Sequence, residues 1–390
     1  MRLGIVGATG NVGTVMLALL AERAFPIRRL RLFASARSAG RTLSWGGREV
    51  AVEDASTADW TDLDIVIFSA GADTSRELCE KVAAAGAVVI DNSSAWRRDP
   101  DVPLVVAEVN PEALARRPRG IIANPNCTTM AIMPVLKPLH DWARLTALVA
   151  TTYQSVSGAG LGAIGELKAQ TALALEHVDD LVHRGSSVDL GPSATFARPI
   201  AFNVLPLAGA MVEDGLGETE EEQKLRHESR KILGIADLKV SGTCVRVPVF
   251  TGHSIQVHAR FERPIVTADV HRLLAGAPGV TLTEIPTSLQ AAGRDATYVG
   301  RIRTDETAEN AIALFCSSDN LRKGAALNAI QLAELVASTA ERSLPNVTAC
   351  QIRKQGSGRR LCVEPALDGA LTGPVDKGRR DGLGAAMMPR

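Results

Sequence analysis

Cys127 lies in "GIIANPNCTTMAIMPVLKPLH" (residues 120–140), where the apolar run Ile121–Ala123 gives way to helix-like spacing. A thiol at a strand-to-helix junction sits near unpaired helix N–H groups. These favour thiolate and lower the pKa, as a nucleophile requires. The same residue also reads as a small core side chain, as Cys244 in "SGTCVRVPV" and Cys316 in "IALFCSS" do inside apolar runs. The six cysteines (79, 127, 244, 316, 350 and 362) form no CxxC pair and no Cys/His cluster at ligand spacing, so neither a metal site nor a disulfide scaffold is expected. A reducing cytoplasmic setting fits that usage.

A second motif supplies a partner for that chemistry. "GIVGATGNVG" puts Gly7, Gly10 and Gly13 between a strand and a helix. There the backbone can turn tightly, approach a pyrophosphate and present the helix N-terminus to it. The spacing is GxxGxxG, and glycines also serve ordinary turns, but this position supplies the context a dinucleotide site needs. At the end of the second strand, "RLFASARSAG" has Ser35, Arg37 and Ser38 where an NAD enzyme usually carries an acid. Arg37 therefore suits the 2′-phosphate of NADP; its other reading is a solvated loop cation. A nucleophilic thiol beside a nicotinamide can move a hydride onto an acyl group, so each motif explains the other.

The elements that must position these residues follow from periodicity. Up to about residue 125, short apolar runs alternate with helical segments: strands at Leu3–Val6, Leu30–Phe33, Ile65–Phe68 and Val88–Ile90, with helices from Thr14 and near Ser75–Ala85. This pattern implies parallel βαβ units. Between about 144 and 317 the strands alternate, as in "HSIQVHARF", where His253, Ile255, Val257, Ala259 and Phe261 share a face. That texture predicts an α+β region with one sheet face buried. A last helix in "NLRKGAALNAIQLAELVAST" carries an apolar stripe that must dock on something.

With 390 residues, 46% hydrophobic, and 43 Lys+Arg against 43 Asp+Glu, the chain has room for two or three domains and no charge excess to attract nucleic acid or membrane. Small molecules are the default ligands. The opening apolar stretch is broken by Asn11 and glycines, so it reads as a strand and helix rather than a signal peptide. Residues 344–390 contain no aromatic residue, four prolines and seven glycines, a composition that predicts disorder.

Taken together, "GATGNVG", "NPNCTTM", "TYQSVSGAG" and "SGTCVRVPVFTGHS" resemble the bacterial aspartate-β-semialdehyde dehydrogenases, over residues 1 to about 342. The resemblance implies a Rossmann-type α/β cofactor domain (1–126, completed by the helix 318–342) and an α+β catalytic and dimerisation domain (127–317), followed by the tail 343–390. It implies NADPH-dependent reduction of aspartyl 4-phosphate to aspartate semialdehyde and phosphate, by a cytoplasmic homodimer serving lysine, threonine, methionine and isoleucine biosynthesis. In that reading Cys127 forms a thioacyl intermediate, His253 is the acid/base and Gln154 orients the acyl group. Arg246 holds the substrate carboxylate, Glu221 its ammonium, and Lys224 and Arg97 the phosphate. The cofactor residues become Gly7, Thr9, Gly10, Asn11, Val12, Gly13, Ser35, Arg37, Ser38, Ser69, Ser157, Gly158 and Asn320.

Without the resemblance, His253 reads equally as a hydrogen-bonded strand-end histidine and Arg246 as an edge-strand charge. The run Glu220, Glu221, Glu222 leaves the register of the ammonium ligand open by one residue. Arg98 is the alternative to Arg97. N-acetyl-γ-glutamyl-phosphate reductases share the chemistry but typically have Gly-Cys-Tyr at the thiol. A cofactor-binding sensor without turnover is the reading from another class, and the filling of every candidate role by a competent residue speaks against it.

Overall fold

The computed structural model describes residues 1–343, and the tail expected beyond them lies outside the described residues. Two sheets organise the chain. The first has seven strands: β1 (Arg2–Val6), β2 (Arg29–Ala34), β3 (Thr42–Trp45), β4 (Arg48–Asp54), β5 (Ile65–Phe68), β6 (Val88–Asp91) and β7 (Ile121–Ala123), in the order β3-β4-β2-β1-β5-β6-β7. All neighbours run parallel except β3, which turns back on β4. β1 and β5 are almost wholly buried apolar runs, as strands covered by helices on both faces must be.

The helices are α1 (Asn11–Glu22), α2 (Ala72–Ala84), α3 (Cys127–Ala143), α4 (Leu161–Ala174), α5 (Val178–Arg184), α6 (Glu220–Leu233), α7 (Thr267–Ala275), α8 (Ser288–Ala291) and α9 (Leu327–Ser343). One face of the first sheet is sealed by α1 and α9, where Met16, Leu19 and Leu20 meet Ile330, Leu332 and Ala333 over Leu3, Ile5 and Ile90. That is where the apolar stripe of the last helix docks.

The second sheet has six strands: β8 (Leu145–Gln154), β9 (Lys239–Arg246), β10 (His253–Phe261), β11 (Val280–Leu282), β12 (Thr297–Thr304) and β13 (Ala311–Ser318), in the order β11-β12-β13-β10-β8-β9. Its inner face supplies Leu148, Ile255, Val257 and Leu314 to a core that also contains Val66, Phe68 and Val89 of the first sheet and Met130–Leu136 of α3. The two sheets therefore share one continuous core with α3 between them. Along β10 the expected inward set, from His253 to Phe261 at every second residue, is buried.

Candidate functional site

Register alone gathers the side chains. In the parallel pair β8/β9, Gln154 lies opposite Arg246, and in the antiparallel pair β10/β13, His253 lies opposite Ser318, two residues before Asn320. The ends of four strands thus meet at one edge of the second sheet. The N-terminus of α3 arrives from the end of β7 with Cys127 as its first residue. Asn126 caps that helix, its side-chain oxygen accepting from the Thr128 N–H at 3.1 Å.

Behind the cysteine runs a π-helical turn, Arg322–Ala326, in which only glycine fits: a Cβ on Gly324 would lie 2.8 Å from the Cys127 Cβ. The adjacent Lys323 is fully buried and paired with Glu108 at 2.6 Å. Such turns interrupt α-helices at functional sites more often than elsewhere.

Opposite stands α6. Its Thr219–Glu222 capping box resolves the register of the three glutamates. Glu222 accepts from the Thr219 and Cys244 N–H groups, Glu220 points outward, and Glu221 faces the cysteine side, accepting from Lys224 at 2.8 Å and Asn126 at 3.1 Å. Burial alone would raise the Glu221 carboxyl, but Lys224, Asn126 and Arg97 together hold the group below its ordinary value. Reciprocally, burial would lower the Lys224 ammonium and Glu221 raises it.

Arg97 is buried, giving its Nε to Asn124 O at 2.9 Å, one terminal nitrogen to Glu228 at 3.0 Å and the other to Asn92 O at 2.7 Å. A guanidinium has five N–H groups, so capacity remains toward the pocket it lines with Ser94, Lys224 and His227. Arg98 lines the same pocket from its exposed side.

Glu228 was not singled out by the sequence reading, yet its second oxygen accepts the Asn126 N–H at 2.6 Å and so ties Arg97 to the nucleophile's cap. The signal was present: Glu221, Lys224 and Glu228 at i, i+3 and i+7 share one helix face. Lys231, also missed, donates to the carbonyls of Arg97, Asp99 and Val102 at 2.6–2.9 Å and pins that loop.

Cys127 departs from expectation in one respect. Burial, followed by the nearby Glu221 carboxylate, pushes its thiol up to about 12, against the opposing pull of Arg246, Arg97 and Lys224. The helix N-terminus does not leave it a thiolate in the free protein. Cys244 and Cys316, the core alternatives, are fully buried on strands. Burial, then Arg246, pushes His253 down to about 3, with Glu221 pulling the other way. The ring is neutral, and its Nδ1 accepts the Ser155 N–H at 3.1 Å, so the hydrogen sits on Nε2, which has no partner among the described residues. Arg246, whose guanidinium burial lowers, donates to Ser155 O at 2.8 Å. Gly158 brings the backbone against both groups, its Cβ position lying 3.4 Å from the His253 ring and 3.5 Å from Arg246. Gln154 is buried, 3.5 Å from Glu221.

The cofactor candidates fall into two groups. Gly7, Thr9, Gly10, Ser35, Arg37, Ser38 and Ser69 line one cleft of about 370 Å³ at the carboxyl ends of β1, β2 and β5. Gly7 has φ +86°, and a Cβ there would strike the Ser69 carbonyl, while one on Gly13 would lie 2.5 Å from Gly7 O. Gly10 meets no such obstacle. The outer glycines therefore pack the turn, and the middle one leaves room above the uncapped N-terminus of α1. Arg37 is exposed and has no hydrogen bond or ion pair with the described residues; Asp54, on the same cleft, is engaged by Ser56. The second group sits beside His253: Asn320 bonds Ser157 at 2.9 Å, and Asn11 reaches from α1 to Ser157 O at 3.5 Å. Val12 lies on the same first turn of α1, half-buried.

A glycine cradle at the end of a parallel sheet, feeding a half-buried helix-start cysteine and a buried histidine at the end of a mixed sheet, is the architecture of semialdehyde dehydrogenases. The family model "Semialdehyde dehydrogenase, NAD binding domain" matches residues 2–117, and "Semialdehyde dehydrogenase, dimerisation domain" matches 136–323. The chain is 66% identical to the aspartate-semialdehyde dehydrogenase of Streptomyces akiyoshiensis over 338 residues, 87% of this chain and 99% of that one. It is 45% identical to that of Aquifex aeolicus, over 86% and 97%. Among solved structures it superposes on aspartate semialdehyde dehydrogenase II from Vibrio cholerae with TM-score 0.81 and 43% identity, covering 86% of this chain and 98% of that one. The chain belongs to the aspartate-semialdehyde dehydrogenase family, and is an oxidoreductase with a nicotinamide-dinucleotide domain.

Proposed function

We infer that the protein reduces L-aspartyl 4-phosphate to L-aspartate 4-semialdehyde and phosphate with NADPH, as a cytoplasmic enzyme in the biosynthesis of lysine, threonine, methionine and isoleucine. The observation that carries this reading is the convergence on Cys127 of one carboxylate and three cations, Glu221, Arg246, Arg97 and Lys224, a set that matches an ammonium, a carboxylate and a phosphate on one small molecule. The Vibrio cholerae enzyme solved with ASA supports the substrate.

Arg246 suits the α-carboxylate, Glu221 the ammonium, and Lys224 with Arg97 the phosphate. Cys127 attacks the acyl carbon, the C–O bond to phosphate breaks, and a thioester forms. Bound NADPH supplies the hydride that reduces that carbonyl. His253 takes the thiol proton at Nε2 and returns it to the carbonyl oxygen, while Gln154 orients the acyl group. Breakage of the C–S bond, with the hydroxyl proton passing back through His253 Nε2 to the Cys127 sulfur, releases the aldehyde and restores the thiol.

For the cofactor, Gly10 and the N-terminus of α1 fit a pyrophosphate, and the partnerless Arg37, with Ser35 and Ser38, fits a 2′-phosphate. The Candida albicans enzyme, 26% identical at TM-score 0.65 over 87% of this chain and 99% of that one, was solved with NADP, which agrees with that choice. Asn11, Ser157, Gly158 and Asn320 would hold the nicotinamide end. We assign residues 1–126 with 318–342 to the cofactor domain and 127–317 to the catalytic and dimerisation domain. A homodimer would cover Val149 and Tyr153 on the outer face of β8, which are exposed in the monomer. A phosphate-dependent reduction of NADP by aspartate semialdehyde tests the assignment: turnover with this aldehyde and none with N-acetylglutamate semialdehyde is expected, and the reverse preference would overturn it.

A further inference from the structure

Ser155 bonds the imidazole and two of the side chains around it, Arg246 and Asn320. Its N–H donates to His253 Nδ1 at 3.1 Å, its Oγ lies 3.0 Å from the same nitrogen, its carbonyl receives Arg246, and its Oγ donates to Asn320 Oδ1 at 2.9 Å. It is fully buried.

The directions of these bonds are fixed by backbone groups that can only donate. The Gly252 N–H reaches Asn320 Oδ1 at 2.9 Å, so the amide oxygen faces Ser155 and the amide nitrogen faces Ser157. The Ser155 N–H makes Nδ1 an acceptor in the resting ring, a bond given up whenever Nδ1 is protonated. The ring at rest therefore carries its hydrogen on Nε2, and in that tautomer Nε2 has no lone pair with which to take a proton from a thiol.

Work as an acid/base needs the other tautomer, reached through the imidazolium as Nδ1 takes a proton from solvent and Nε2 gives one back to it. With hydrogen on Nδ1, Nε2 accepts as the Cys127 S–H bond breaks, and the new Nε2–H bond later breaks as the O–H bond on the reduced substrate forms. Throughout, the Nδ1–H needs an acceptor. Among the described residues only the Ser155 hydroxyl is positioned to be one, and it can do so while its own hydrogen stays on Asn320.

We propose that Ser155 is a positioning residue for His253: its backbone N–H holds the resting ring with hydrogen on Nε2, and its hydroxyl, oriented by Asn320, accepts from Nδ1 in the working state. This rests on the assignment of His253 as the acid/base. The charged groups bearing on the ring are Arg246 from β9 and Glu221 from α6, and neither reaches Nδ1 by a hydrogen bond. Because Asn320 also belongs to the proposed nicotinamide end, cofactor contacts with its amide bear directly on that hydroxyl.

Ser155→Ala tests this, since it keeps the N–H and removes the acceptor. With NADPH binding as the check of folding, kcat is expected to fall about tenfold or more while KM for aspartate semialdehyde stays within about twofold. The protonated ring is the form that loses a bond, so its pKa falls and the acidic limb of kcat/KM moves to lower pH. Nitrogen-15 shifts of His253, assigned with a His253→Gln variant, should show the resting Nε2–H tautomer in both proteins and a lower ring pKa in Ser155→Ala. Ser155→Thr, which retains the hydroxyl, should recover most of kcat. Wild-type kcat and pH profile in Ser155→Ala would overturn the proposal. So would a fall in kcat with the ring titration unmoved. Full turnover in His253→Ala would instead overturn the acid/base assignment, leaving the resting tautomer to be judged by the nitrogen shifts alone.

Discussion

The cofactor cleft and the cysteine pocket are built by opposite means. Around Gly7–Gly13 the chemistry belongs to the backbone: two glycines let the chain pack, the helix end is left uncapped, and Arg37 stands exposed with no partner among the described residues. Around Cys127 the chemistry belongs to buried side chains held by one another, as Arg97 is by Glu228, Glu221 by Lys224 and Asn126, and His253 by Ser155. A change in the cleft should act locally, on selectivity. In the pocket, any change should spread, because each group is another's support.

The largest effect tests the pocket at its centre. Cys127→Ala should retain NADPH binding and thermal stability but lose turnover by at least about a thousandfold, since no thioester can form. Near-normal turnover would remove the nucleophile and leave only a core residue.

Glu228→Gln tests whether support spreads. It keeps an oxygen for the Asn126 N–H but leaves Arg97 buried opposite a neutral group, which should cost about 3 kcal/mol in denaturant unfolding and raise KM for phosphate as well. If stability and KM were both unchanged, the pocket would be as modular as the cleft.

The thiol offers a sharper contrast, because its ordinary partner is missing at rest. With the thiol pushed up to about 12 by burial and Glu221, it is protonated at neutral pH. Alkylation of Cys127 in the substrate-free protein should therefore accelerate about tenfold per pH unit from 7 to 10. A plateau near pH 7 would show a resting thiolate.

The smallest expected change lies in the cleft. Arg37→Ala should lower the ratio of kcat/KM for NADP over NAD by about tenfold with stability unaltered, because the side chain has no partner to lose. An unaltered ratio would reassign the 2′-phosphate.

This contrast also decides what could be read from the chain. The cleft was legible because its determinants are local: strand, three glycines and helix fall within residues 2–22. The β3–β4 pair was missed because it is largely exposed and lacks the apolar run that marked β1 or β5. In the pocket, residue types were legible through motifs, but their mutual support was not. Thr219 with Glu222 at N3 is a capping box visible in "GETEEE", and it would have removed Glu222 from the three candidate acids. Ser155 gave no such signal, because its partners lie 98 and 165 residues away. The thiol expectation failed because a helix end is a weak, local field and burial beside a carboxylate outweighs it.

The π-helical turn behind Cys127 carries a consequence for biosynthesis. Gly324 is translated 197 residues after the cysteine it backs, and α9, which seats that turn, later still. During synthesis the N-terminal sheet and α3 emerge with the wall behind the nucleophile still unmade. Until residue 324 is made, the pocket around the nucleophile cannot close, so its assembly waits on nearly the whole described chain.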